Sequence, residues 1–148
     1  MKEKIIQFGT GNFLRGFADC FVDKLNKENL YDGKIVIVSP TDSKQVDIIN
    51  AQQGRYNLYL RGIENGKEIC ESTEINAISR AINPYRDFNA YLALAENPDF
   101  RFIISNTTEA GIAFSAENKF AHKPAKSFPA KLTQLLYERY KLDLNGFV

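Results

Sequence analysis

Gly9-Thr10-Gly11 is the stretch of this 148-residue chain best suited to chemistry. It falls between a short apolar run, Ile5-Ile6-Gln7-Phe8, and a segment of helical period that starts at Asn12. A first glycine permits a tight turn. A second lets the backbone approach a phosphate, which the partial positive charge of a helix N-terminus favours. A plain tight turn uses the same residues, so the pair counts only together with its strand-to-helix setting. Two departures from the dinucleotide-binding fingerprint stand out. Leu14 holds the place of the third glycine, and Ser39 holds the first place after the second strand, where an acidic residue is usual. Asp42, three residues on, is the candidate for the ribose hydroxyls.

A second polar stretch, Ser105-Asn106-Thr107-Thr108-Glu109-Ala110-Gly111, follows another apolar run. In open α/β sheets ligands bind outside the carboxyl ends of the strands. The hydrogen-bonding groups here suit a nicotinamide ribose, or simply a polar turn capping a strand. Arg15 in the first helical turn can serve a phosphate or pair with a surface carboxylate. His122, the single histidine, has no nucleophile or second ligand beside it in sequence, so no Ser/His/Asp arrangement can be argued. No zinc ligand set exists. No catalytic or metal-binding residue is therefore assigned.

These groups need a scaffold, and the chain reads as one. Residues 5–8 and Lys34 to Val38 read as buried strands. Between them Phe13, Leu14, Phe17, Ala18, Phe21, Val22 and Leu25 fall on one helical face, predicted to be buried. Strand, glycine turn, helix and strand make a βαβ unit and a parallel sheet. Tyr56 to Arg61 and Glu68 to Ile78, joined through Asn65-Gly66, predict an inserted β-hairpin. Asn83-Pro84 reads as the cap of a helix carrying Phe88, Tyr91, Leu92 and Ala95. Phe100 to Ser105 is a third sheet strand and Ile112 to Ser115 a short fourth. A last helix starts at Ser127-Phe128-Pro129. The apolar pair Phe147-Val148 begins a run with no continuation, from which truncation is expected.

Composition narrows the class. With 44% hydrophobic and 25% charged residues the chain can bury an ordinary core. A net charge of +1 with no basic stripe argues against nucleic acid as a partner. No stretch nears the roughly 20 apolar residues that span a bilayer, and no signal peptide is recognisable. Cys20 and Cys70, far apart, read as reduced thiols of a cytoplasmic protein.

The run Ile6-Gln7-Phe8-Gly9-Thr10-Gly11-Asn12-Phe13-Leu14-Arg15-Gly16-Phe17 resembles the opening signature of the long-chain polyol dehydrogenase, or mannitol dehydrogenase, family. In that family Gly-x-Gly-Asn-Phe-x-Arg replaces the ordinary third glycine, so Leu14 is at home there. Ser105 to Gly111 resembles the family's second nucleotide-domain motif. Ser127 to Thr133 and Leu136 to Tyr140 look most like one branch, which handles hexuronates. The resemblance covers essentially the whole chain. It implies an α/β fold with a Rossmann-like, doubly wound, mostly parallel sheet, interrupted here by the hairpin. It further implies NAD as cofactor and hydride transfer to or from a linear sugar derivative. For this branch the pair would be D-tagaturonate and D-altronate, a step of hexuronate breakdown. By resemblance Gly9, Gly11, Asn12, Phe13 and Arg15 would line the pyrophosphate site, and Asn106, Thr107 and Glu109 the nicotinamide end. The family's catalytic lysine, with an asparagine and a histidine, lies in a C-terminal helical domain, and no residue here matches that motif. Residues 1–148 are thus expected to be a truncated N-terminal dinucleotide-binding domain, inactive alone, whose sugar-acid substrate engages the absent domain. Asp42 would favour NAD over NADP by repelling a 2′-phosphate, although Lys44 is near. The fructuronate reductase and mannitol dehydrogenase branches, and a non-catalytic nucleotide-binding module, are the alternatives.

Overall fold

The computed structural model describes all of residues 1–148. In chain order its elements are β1 (Lys2–Phe8), α1 (Asn12–Gly16), α2 (Ala18–Lys27), β2 (Gly33–Val38), α3 (Gln45–Ala51), β3 (Tyr56–Glu64), β4 (Lys67–Ile75), β5 (Ile78–Ile82), α4 (Phe88–Leu92), β6 (Phe102–Ser105) and α5 (Phe128–Lys141). Single 3₁₀ turns cover Ala93–Ala95 and Glu109–Ile112. Four strands form a parallel sheet in the order β5-β2-β1-β6. Successive side chains of a strand point to opposite faces. Ile6, Phe8, Val36 and Val38 therefore meet Tyr91, Leu94, Phe100 and Leu135 on one face. Ile5, Ile35 and Ile37 meet Val46, Ile49, Ile75 and Ile78 on the other. A sheet covered on both faces needs strands that are apolar throughout, which is why β1 and β2 read as continuous runs. The doubly wound parallel sheet expected from the sequence is thus present. So is the hairpin: β3 and β4 pair antiparallel from Tyr56↔Ile75 to Glu64↔Lys67. Its turn residues Asn65 and Gly66 have φ of 50° and 75°, the left-handed pair that a two-residue hairpin turn requires.

The first helical segment differs from expectation. Phe17, at φ −120° and ψ −76°, divides it into α1 and α2. Phe13, Phe17, Phe21 and Leu25, expected inside, are 63%, 54%, 52% and 40% exposed. The three rings form an outer ladder, with successive centroids 5.6 and 4.6 Å apart. Helix α2 turns Asp19, Asp23 and Asn26 inward instead. The Asn76 N–H donates to Asp23 Oδ1 at 2.7 Å. Asn26 exchanges two hydrogen bonds with the Gly33 backbone, at 2.8 and 3.2 Å. Buried polar groups are tolerated when paired. This polar stripe has helical spacing too, and the fixed backbone partners of Asp23 and Asn26 let it take the inner side.

Other departures are local. The strand returning from the hairpin ends at Ile75, and Ile78–Ile82 is a separate sheet strand. Helix α3 was not foreseen; only Val46 and Ile49 of its seven residues are buried, too few for a visible period. Ile112 to Ser115 forms no strand, because the chain there closes the 3₁₀ turn Glu109–Ile112 and runs on irregularly. Asn83 does not cap a helix: its Oδ1 accepts from Tyr85 N at 3.0 Å within a turn, and Asp87 caps α4 through Ala90 N at 2.8 Å. Ser127 caps α5 as expected. Cys20 and Cys70 are both free thiols. Val148 lies along the outer edge of β6, donating to Arg101 O at 2.7 Å and accepting from Ile103 N at 2.9 Å.

Candidate functional site

Strand β1 sits between β2 and β6, so the chain leaves the sheet in opposite directions on its two sides. A crevice opens at the carboxyl ends of strands where this happens. Gly9 leaves β1 at φ +133°, while its N–H still donates to Val38 O at 3.1 Å. A Cβ at Gly9 would lie 3.2 Å from Leu14 Cδ1 and 3.6 Å from Asn106 Oδ1. The turn is thereby closed between α1 and the loop after β6. Leu14, the departure from the fingerprint, is the buried side chain that fills the space beneath it. Gly11 faces the other way: a Cβ there would meet no atom within 4 Å. No side chain caps α1 at Gly11, and the N–H groups of Asn12 and Phe13 have no backbone partner. Helix α1 has only five residues, so its macrodipole is slight. The positive character of this corner comes from local N–H groups.

On the β6 side, Ser105 Oγ bonds Thr107 Oγ1 and accepts from Thr107 N at 3.1 Å. A Cβ at Gly111 would collide with Thr107 Cγ2, so glycine is what lets the following turn fold back over Thr107. Gly9, Asn106 and Thr107 share a crevice of about 620 Å³ with Pro40 and Thr41 after β2 and with Lys126 and Phe128 at the start of α5. Sites for small molecules and cofactors commonly measure about 300–1,000 Å³. A second hollow of about 450 Å³ adjoins it through Ala113, Phe114, Ser115 and Ser127.

The sequence candidates are thus only partly gathered. Gly9, Asn106 and Thr107 line the crevice. Gly11, Asn12 and Phe13 stand exposed at the start of α1. Arg15 Nη2 donates to Asn12 Oδ1 at 2.6 Å, and its guanidinium lies 5.5 Å from the Tyr56 ring of the hairpin. Asp42 is outside the crevice lining; its Oδ1 accepts from Asn83 Nδ2 at 2.8 Å and Arg86 Nε at 3.3 Å. Glu109 is exposed at the start of its 3₁₀ turn. Sequence reasoning missed Lys126 and Phe114, which an irregular loop returns to the crevice. It also missed Gln7, though a polar residue inside an apolar strand is a readable signal. Gln7 is fully buried and donates through Nε2 to Gly9 O at 3.3 Å. Beside it, burial pushes the Asp19 carboxyl up to about 7, against the opposing pull of the neighbouring Gln7 amide, the Tyr56 hydroxyl and the Arg15 charge. No three His, Cys, Asp or Glu side chains stand together to hold a metal ion. No helix is long and apolar enough to cross a membrane.

Comparison with known proteins identifies the family and the fold. The family model for the mannitol dehydrogenase Rossmann domain matches residues 3–146. An altronate oxidoreductase of Phocaeicola vulgatus is 48% identical over 144 residues, 97% of this chain and 30% of that protein. Its counterpart in Bacillus subtilis strain 168 is 46% identical over 139 residues, covering 94% and 29%. The chain therefore spans about 30% of the length of these relatives. Among solved structures, the Pseudomonas fluorescens mannitol 2-dehydrogenase ternary complex with NAD and D-mannitol superposes with a TM-score of 0.82 at 19% identity, over 99% of this chain and 32% of that one. A D-sorbitol dehydrogenase in substrate-free form gives 0.80 at 24%, over 99% and 33%. At such identities these two likenesses concern the fold.

Proposed function

Because the chain belongs to the mannitol dehydrogenase family, matching its Rossmann domain over residues 3–146, we propose that residues 1–148 are the NAD-binding domain of an oxidoreductase that interconverts D-tagaturonate and D-altronate. The observation that carries the nucleotide reading is the crevice where Gly9 and Asn106 meet beside the open space at Gly11. The substrate reading rests on the 46–48% identity to altronate oxidoreductases. The substrate, a small sugar acid, and the proton-transferring group are assigned to the portion of those relatives beyond this span. We place the protein in the cytoplasm, where two unpaired thiols persist.

The residues present fit the cofactor. Gly11 leaves room for a phosphate at the unpartnered N–H groups of Asn12 and Phe13, with Arg15 as the adjacent cation. Asp42 would take the ribose hydroxyls through its second oxygen, its first being held by Asn83 and Arg86. Asn106, Thr107 and Glu109 would hold the nicotinamide end. When bound, NAD supplies the hydride chemistry, and the protein's contribution is placement and orientation. The test is an equilibrium titration with NADH and NADPH, followed by nucleotide fluorescence. Saturable binding of NADH, about tenfold or more tighter than NADPH, is expected; Asp42→Ala should narrow that preference. Equal or absent binding of both would contradict the assignment.

A further inference from the structure

Beneath the glycine turn lies a buried polar cluster that none of the roles above uses. Gln7 of β1 and Asp19 of α2 are both completely buried. Gln7 Oε1 and Asp19 Oδ1 each lack a hydrogen-bond partner. Unpaired buried acceptors are rare because each forfeits its hydration. Both residues bear on the backbone of the turn. Gln7 Nε2 donates to Gly9 O at 3.3 Å. Tyr56, reaching in from the hairpin, donates to Arg15 O at 2.6 Å, and its hydroxyl lies 3.5 Å from Asp19 Oδ2. The charged and titratable groups facing Asp19 are Arg15 from α1 and Tyr56 from β3; Cys20, the next residue of α2, acts on Tyr56.

We infer that Asp19 is a positioning residue of the nucleotide site: through Gln7 and Tyr56 it sets the backbone from Gly9 to Arg15, and its uptake of one proton tightens nucleotide binding. The inference rests on the NAD-binding reading. A Tyr hydroxyl has a single hydrogen to give. When Asp19 is ionised, its carboxylate competes with Arg15 O for that hydrogen, offsets the Arg15 charge and repels a diphosphate. When Asp19 is neutral, its own O–H supplies a donor to a cluster with two idle acceptors. Tyr56 is then free to hold Arg15 O. Burial has already brought the carboxyl to about 7, so the change falls where the protein can be studied folded.

The test is NADH affinity between pH 6 and pH 8.5 for the wild-type chain, Asp19→Asn and His122→Gln. Wild type should lose about five- to tenfold in affinity across this range, the change expected when ligand raises one group's pKa by up to a unit. Asp19→Asn should stay flat, near the wild-type affinity at pH 6. His122→Gln, which removes the single histidine, should keep the wild-type profile. Carbon-13 NMR of the Asp19 carboxyl, with and without NADH, gives a reading that does not depend on the variants folding. NADH should shift its titration midpoint upward. NADH binding with a flat wild-type profile, an Asp19→Asn profile that follows wild type, or an unmoved midpoint would overturn the inference alone. No NADH binding at any pH would overturn the nucleotide reading and this inference with it.

Discussion

Helices α2 and α5 cover opposite faces of one sheet and both bury polar side chains, yet the two sets are satisfied differently. On α5, Arg139 donates to four backbone carbonyls, those of Asn145, Ala95, Asn97 and Phe100, at 2.6–3.2 Å. Gln134 uses both ends of its amide, accepting from Ala125 N and donating to Phe120 O and His122 O. Lys131 has one carbonyl, Lys126 O at 2.5 Å, and the Tyr85 ring at 5.0 Å; burial pulls its ammonium down to about 8. These residues pin loops to the helix. On α2 the far end is likewise closed, since Asp23 and Asn26 hold Asn76 and Gly33. Only the end nearest Gly9 keeps idle acceptors. A buried polar group whose partners are all backbone reads as structural. One left partly unpaired beside a ligand turn reads as tunable.

The contrast can be broken in order of effect. Arg139→Ala should be the most damaging, removing the donor to four carbonyls, of which those of Ala95 and Phe100 are buried, at a cost of about 3–5 kcal/mol. Denaturant unfolding would register it as a lower midpoint, and a loss under about 1 kcal/mol would deny that α5's polar set is structural. Asp19→Asn should do the opposite. The folded-state carboxyl titrates near 7, above its ordinary 3.8. Between these values the native state binds more protons than the unfolded chain, so wild-type stability falls as pH rises and stays low above about 7. The variant lacks this slope and should gain about 2 kcal/mol at pH 8, after allowance for its buried amide. Parallel unfolding curves at pH 5 and 8 check both the sign and the slope. Gly9→Ala should change stability and binding together. Its φ of +133° disfavours any side chain, and a strain of about 1–3 kcal/mol is expected. Calorimetry should show NADH affinity reduced by roughly tenfold, equivalent to about 1.4 kcal/mol.

The same contrast explains what was legible in the sequence. Runs of β-branched residues disclosed β1 and β2 because each is buried on both faces, and the apolar Phe102-Ile103-Ile104 disclosed β6 even though its place at the sheet edge leaves it partly exposed. Asn65-Gly66 disclosed the hairpin because few other pairs adopt two left-handed residues. The glycine turn could be read from its place between strand and helix. The α1–α2 segment was misread because two stripes with the same period compete there. Hydrophobicity ranks Phe13, Phe17 and Phe21 above Asp19, Asp23 and Asn26, but carries no record of the Tyr56 hydroxyl that faces Asp19 or the backbone groups that await Asp23 and Asn26. Strand β5 was hidden because only Asn76-Ala77 separates it from β4. Lys126 and Phe114 reach the crevice through a loop whose path leaves no periodic trace. What the sequence shows least is pairing between distant polar groups, and Asp19 belongs to that class.

The most direct test of the central claim is amide-shift mapping of isotope-labelled protein during titration with NADH. Shifts are expected at Gly9–Gly16, Ser39–Asp42, Ser105–Gly111 and the crevice wall Lys126–Phe128, with Gln7 and Tyr56 moving beneath them and Gln134 and Arg139 still. A well-dispersed spectrum that NADH leaves unmoved, or shifts centred on Gln134 and Arg139, would contradict the nucleotide assignment.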